Sequence, residues 1–471
     1  VRGNMVCKAC KNLFISDREF YKKVAIIAIP VTLQSLISIG INLAGTMMLG
    51  ALGEYQLSAG SLANNFISIF QIICMGMGFG TAVMTSQYWG NKDIKAIKAS
   101  ITIMYRINLL TAVFFTLITL IFPSFIMSVY SNDSNIVHYG VEYLKITAFT
   151  YVLQGLSLTT TIILRSIGKV KVPLYSSIAA FLLNLLFGWL FIYGGFGIPA
   201  FGIAGAALGT LLARVFEFLV IVIFFLKEKD IGYRISDFFN NSSEKWRPFL
   251  QYAVPVIISD FLLALGLNII AVIVGHISPA FVSANAIIAM VLQMVTIFSQ
   301  GISNAGSIII GNTIGEGGDA VLTYHQGVTF FAISTIIGLI TAFVIQLLAP
   351  LIINMYNISP ETREIAYELM NALSFTVIFQ TVSTVMTKGV LRGGGDTKFL
   401  MIADILFLWV ASVPLGILCA YVFEMSPFVI YITLRIDHIL KTIWCIQRLN
   451  SKKWIKSIEK KSVNISLEIE G

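Results

Sequence analysis

Charge is what this chain of 471 residues lacks: 12% of it is Asp, Glu, Lys or Arg, against 57% apolar residues. A soluble domain carries about twice that share of charge, so the scarcity excludes a water-exposed globule. Histidine is nearly absent as well, with four in the whole chain, which argues against the His clusters or nucleophile–base pairs of an integral-membrane enzyme. The five cysteines, Cys7, Cys10, Cys74, Cys419 and Cys445, are odd in number and scattered, and outline no disulfide framework. Cys7-x-x-Cys10 lacks the second Cys/His pair of a zinc site. A GxxxxGK[ST] phosphate loop is also missing, so ATP is not the energy source and no cofactor is expected.

Long uncharged runs are what the chain does have. They cover 24–53, 55–91, 107–132, 172–213, 261–315 and 320–360, among others. About 20 residues cross the hydrocarbon core as a helix, so the longer runs hold two helices each. Gly/Pro clusters such as Gly194-Gly195-Phe196-Gly197-Ile198-Pro199 supply the breaks. The expected helices are 24–50, 58–88, 99–122, 136–164, 173–194, 201–226, 249–275, 283–311, 326–349, 365–391, 398–422 and 426–448. This is an all-α integral membrane protein with 12 transmembrane helices. Strands of a barrel are excluded because period-two alternation is missing.

The net charge of +8 gathers on alternate connections. Six Lys and Arg precede Val24, three lie at Lys92, Lys95 and Lys98, and three at Arg165, Lys169 and Lys171. Five lie in 227–247, three at Lys388, Arg392 and Lys398, and six from Arg448 onward, whereas the opposite connections hold only Arg363. Basic residues stay on the cytoplasmic side. Both termini are therefore expected there, with the lipid bilayer rather than nucleic acid as the partner of this charge. The segments are a cytoplasmic tail 1–23, an N-lobe 24–226, a cytoplasmic linker 227–248, a C-lobe 249–448 and a cytoplasmic tail 449–471.

The two lobes repeat. At an offset of 225, Pro30 matches Pro255, Gly50 Gly275, Ser58-Ala59 Ser283-Ala284, Gly76 Gly301 and Gly90 Gly315; at 227, Leu164-Arg165 matches Leu391-Arg392 and Gly168 Gly395. Two six-helix bundles entering the membrane in the same sense make a parallel, pseudo-symmetric repeat, with the site between them near the midplane.

Intramembrane charge is a functional hypothesis by default. Asp260 lies about 16 Å into its helix, close to the midplane, and is the first candidate for an ion-coupling site; the structural alternative is a protonated acid bonded to Ser, Asn or backbone. Asp404, nearer a helix end, is a weaker candidate, with Arg392 or Lys398 as its expected partner. Arg214 and Glu217, three apart, form an expected ion pair inside the N-lobe. Gln34, Asn42, Asn64, Asn184, Asn285 and Gln293 are the polar groups expected to line a cleft. Arg106 and Lys145 are assigned to helix ends or to snorkelling side chains, and His276 to a loop.

Particular segments resemble the multidrug and toxic-compound extrusion (MATE) family of bacterial transporters. They are Asn42-Leu43-Ala44-Gly45-Thr46-Met47-Met48-Leu49-Gly50, Leu57-Ser58-Ala59 before Leu62-Ala63-Asn64, Leu391-Arg392-Gly393-Gly394-Gly395-Asp396-Thr397, and Asp404 ahead of Trp409 and Val413-Pro414-Leu415. The resemblance implies a monomeric, H⁺- or Na⁺-coupled antiporter that exports small organic cations by alternating access, with Asp260 as the seventh-helix carboxylate five residues after Pro255. It also shows what is missing: Gly45 and Gly188 stand where many members carry acids. A lipid-linked-oligosaccharide flippase of the same superfamily is the alternative, but it calls for a basic central cavity, for which the sequence offers Arg106 and Arg214 alone. A membrane enzyme is the remote one.

Overall fold

The computed structural model describes residues 14–195 and 197–458; Cys7 and Cys10 lie outside them. In hydrocarbon an apolar run must satisfy its backbone groups internally, which a helix does, and twelve spans form. The first half holds α1 (Arg18–Gly50), α2 (Glu54–Gly90), α3 (Ile94–Ile121), α4 (Ser134–Thr147 and Thr150–Ser166, bent by 58°), α5 (Lys171–Tyr193) and α6 (Gly202–Lys227). The second holds α7 (Trp246–Gly275), α8 (Pro279–Gly315), α9 (Ala320–Asn354), α10 (Pro360–Leu391), α11 (Thr397–Val422) and α12 (Pro427–Leu434 and Ile436–Asn450, broken at Arg435).

Several helices begin up to six residues before the expected starts. Their first turns lie outside the uncharged runs, where Asp17, Asp93, Asp319 and Ser359 cap free amides. Ten spans are long and apolar enough to cross a membrane on composition alone, and the bent α4 makes an eleventh. The twelfth, α12, is shorter in each piece and carries Asp437, Lys441 and Arg448. Large side chains such as Leu110, Phe343 and Val410 stand exposed on the outside, which suits lipid as the surrounding solvent.

The duplication is written into the contact between the lobes. A Cβ on Gly76 would stand 2.8 Å from Ile257 Cα, and one on Gly301 2.0 Å from Thr32 Oγ1. Likewise Gly90 abuts the Asn312 carbonyl and Gly315 the Gln87 carbonyl. Positions 257 and 32, like 312 and 87, are 225 apart, so each contact has its rotated copy, as a two-fold relation requires. The starts of α1 and α7 reach across. Phe20, Val24, Ile27 and Val31 pack with Ala305, Phe330 and Met386, while Phe249, Tyr252 and Ala253 pack with Val83, Tyr88 and Ile97. The lobes thus meet at the end where α1 begins. Toward the other end Leu43 and Met47 of α1, Leu267 of α7 and Met290 and Met294 of α8 are exposed.

A side chain at Gly315 leaves no room for this contact, since its Cβ would fall 1.8 Å from the Gln87 carbonyl oxygen. Gly315→Val is therefore expected to hold this end apart. Spin-label distances between the adjoining ends of α2 and α8 should lengthen against the unsubstituted chain, and an unchanged distribution refutes the assignment.

The segments after α6 and α12 are packed rather than free. Arg106 does not snorkel: its guanidinium donates to the carbonyls of Phe238 and Asn240, while Lys98 pairs with Asp237 at 3.0 Å. Burial opposes the Asp237 charge, but the Arg234 N–H and the Lys98 ammonium outweigh it and hold the carboxyl below its ordinary value. A depressed acid stabilises docking above the unfolded value of about 3.9 and loses that contribution as pH falls through its own, lower value. Amide-exchange protection over 233–239 should therefore be constant from neutral pH down to about 4 and fall below it; protection unchanged in acid would remove the pair from this role. Beyond α12, Trp454 is fully buried, and both ends of the Gln87 amide hold the Lys456 carbonyl and the Ile458 N–H at 3.1 Å.

Candidate functional site

At mid-depth between the lobes lies a cavity of about 410 Å³. Phe79 and Met75 of α2 and Leu263 and Leu267 of α7 form apolar wall. Thr296, Gln300, Asn304 and Ser307 recur every three or four residues along α8 and so share one face. Asp260, at the middle of α7, lines the cavity too. One of its carboxylate oxygens stands 3.6 Å from Lys388 and 3.6 Å from Arg392, too far for hydrogen bonds. That oxygen is buried without a hydrogen-bond donor among the described residues. The sequence offered Ser, Asn or backbone as its partners; it faces two cations instead.

The sequence counts both cations only as topology signals near the end of the tenth helix. α10 ends at Leu391 as expected, but its last turns are π-type over Val385–Leu391, and the i, i+4 spacing of Lys388 and Arg392 puts both on the cavity. Arg392 is almost wholly buried and lies over the Phe79 ring at 5.3 Å. π-type insertions of this kind recur at functional sites.

Asp404 is placed differently from expectation. Its partner is neither Arg392 nor Lys398 but Lys441 of α12, at 2.9 Å, with a second bond from the Ser259 hydroxyl at 2.5 Å. Lys441 also reaches Asp437 at 3.0 Å, and Asp437 accepts from Ser412. This cluster joins α7, α11 and α12. Its sequence signal was Asp437-x-x-x-Lys441, one helical face inside the last span, and the reading passed over it.

The N-lobe encloses a second cavity of about 400 Å³. It brings together Asn42, Asn64 and Asn184 with the Arg214–Glu217 pair, which is present at 2.6 Å. Gly45 and Gly188 line it as well, so Glu217 is the one carboxylate on its wall, already held by Arg214. Three expected cleft residues line neither cavity. Gln34 is a buried clamp, its amide donating to Ser177 at 2.8 Å and accepting from Arg165. Asn285 is half-buried elsewhere on α8. Gln293 is exposed, seven residues before Gln300 and so on the same helix face. His276 is exposed at the end of α7.

Arg106 and Arg214, the two arginines offered for a basic central cavity, do not line it. Others do: Arg165, Lys388, Arg392, Arg435 and Lys441 face Asp260, Asp404 and Asp437, an excess of two positive charges. Sequence reasoning missed this set because Arg165, Lys388 and Arg392 count near helix ends as topology signals, while Arg435 and Lys441 lie inside the last expected helix and were not weighed.

Known proteins resemble this chain along its length. The family model MatE matches residues 30–190 and 255–418, one stretch in each lobe. A probable multidrug resistance protein NorM of Agrobacterium fabrum is 26% identical over 432 residues, covering 85% of this chain and 86% of its own. The protein of the same name from Neisseria meningitidis serogroup A is 24% identical over 458 residues, covering 93% and 96%. A solved structure described as the outward-facing conformation of a multidrug resistance MATE family transporter superposes with a TM-score of 0.82 at 18% identity, covering 92% of this chain and 96% of that one.

Proposed function

This chain belongs to the MatE family of membrane transporters, and from that premise we propose that it is an efflux transporter working by alternating access, with a proton or Na⁺ binding and leaving at Asp260. The observation that carries the coupling is the position of Asp260: at the middle of α7, on the wall of the cavity between the lobes, with one carboxylate oxygen 3.6 Å from two cations and without a hydrogen-bond donor among the described residues. An ion that neutralises this carboxylate releases Lys388 and Arg392, a change in contacts that differs between states and can therefore shift a population.

The N-lobe cavity has no comparable group, since Glu217 is committed to Arg214. Asp404 is held by Lys441 and Ser259 and serves as an anchor rather than an exchanging acid. The names of the relatives support efflux of organic compounds. Ion and cargo that meet in the same cavity are thereby coupled through Asp260. The bacterial relatives support a bacterial inner-membrane location, and the Lys and Arg distribution supports cytoplasmic termini.

The test is flux of a panel of cationic and anionic dyes in proteoliposomes under an imposed H⁺ or Na⁺ gradient. At least one dye should move with one gradient and stop when that gradient is collapsed. If neither gradient moves any dye, the coupled-transport reading fails.

A further inference from the structure

We propose that the cavity between the lobes takes an organic anion, an apolar body carrying a carboxylate or phosphate. The inference rests on the transport reading of that cavity and replaces the cationic cargo that antiport requires. Arg165 and Arg392 are equivalent positions of the repeat, 227 apart, so each lobe brings one arginine to the cavity wall. Each has a buried Nε with no hydrogen-bond acceptor among the described residues. A buried donor left without an acceptor is costly, and both guanidinium groups are planar forks matched to carboxylate or phosphate oxygens. Arg435 adds a third cation on the wall, with no carboxylate within 4.0 Å among the described residues. The net excess of positive charge repels a cation and attracts an anion, while Phe79, Leu263 and Leu267 accept the apolar body.

Asp260 has a defined part in this arrangement. Its carboxylate competes with the cargo for Lys388 and Arg392. The ion that neutralises Asp260 removes that competitor, so ion and anion bind together and cross in the same direction. A cargo leaving down its own concentration gradient then carries the ion with it.

Calorimetric titration of the purified full-length protein in a neutral maltoside detergent tests the charge preference. Two matched pairs of probes serve: fluorescein against ethidium, and dodecyl phosphate against dodecyltrimethylammonium. An anion should bind and its cationic counterpart should not displace it; fluorescein binding identifies a soluble anion as cargo, dodecyl phosphate alone a lipid-like one. Arg392→Gln and Lys388→Gln should each weaken anion binding by about tenfold or more, and Asp260→Asn should tighten it. Lys388 has a side chain 42% exposed, so its variant folds even where that of Arg392 does not. Binding of the cations instead, binding of neither anion, or anion affinity unchanged by Lys388→Gln and lowered by Asp260→Asn overturns the proposal. Gradient-driven exchange of ethidium would overturn it while keeping the transport reading; anion binding without flux under any gradient does the reverse.

Discussion

Asp260→Asn leaves the protein folded and membrane-inserted, and ion-driven flux falls by at least about tenfold, the scale of a typical coupling free energy. Asn keeps the shape of Asp but neither exchanges a proton nor offers Na⁺ a charge. Folding tolerates the change for reasons visible around the side chain. One carboxylate oxygen is buried without a hydrogen-bond donor, and the two ion pairs at 3.6 Å are long. Lys388 remains solvated from the cavity, and Arg392 keeps its contact with Phe79. The measurement is proteoliposome flux with and without the gradient, beside a detergent melting curve. A variant that still follows the gradient at the original rate removes Asp260 from coupling. A variant that melts far lower makes it a structural acid. Asp404→Asn is the control with the opposite pattern, because its carboxylate holds Ser259 and Lys441 and its loss acts on stability.

The spans were legible because hydrocarbon leaves one option for a long uncharged run, and the twelve expected helices have their counterparts in α1 to α12. The repeat was legible because glycines at helix contacts cannot drift: Gly76, Gly90, Gly301 and Gly315 matched in sequence and meet their rotated partners in space. Asp260 was legible as a carboxylate about eleven residues inside its expected helix, close to the midplane. Its neighbours were not. Lys388, Arg392 and Arg165 look in sequence like the positive residues that close a cytoplasmic connection, and counting them for topology hid that they turn inward. The helix end at Leu391 was expected; the π-type turns over Val385–Leu391 that accompany Lys388 and Arg392 onto the cavity were not. The polar candidates divided according to helix face. Asn42, Asn64 and Asn184 share the N-lobe cavity, whereas Gln34 is consumed by Ser177 and Arg165. Depth in the membrane is readable from a hydropathy run; which way a side chain turns at that depth depends on neighbours far away in sequence.

Lys441→Met is expected to lower stability by about 3–5 kcal/mol, the cost of breaking a buried ion pair from one side. The Lys441 side chain is 4% exposed and its ammonium bridges Asp404 and Asp437 at 2.9 and 3.0 Å. Met fills the volume but leaves two buried carboxylates facing each other with no positive charge between them. Three spans depend on that charge: Ser259 ties α7 to Asp404, and Ser412 of α11 bonds Asp437 of α12. A triple change, Asp404→Asn with Asp437→Asn and Lys441→Met, removes all three charges together, and buried ion clusters replaced whole are often close to neutral. The triple variant should therefore melt above the single one in the same detergent, although it carries two more substitutions. Packing loss alone predicts the reverse order, with the triple variant at least as unstable as Lys441→Met. Lys441→Arg should also fall short of the unsubstituted chain, since a planar fork does not fit a site shaped for one compact ammonium between two acids. If the single variant melts with the unsubstituted protein, Lys441 does not hold α7, α11 and α12 together.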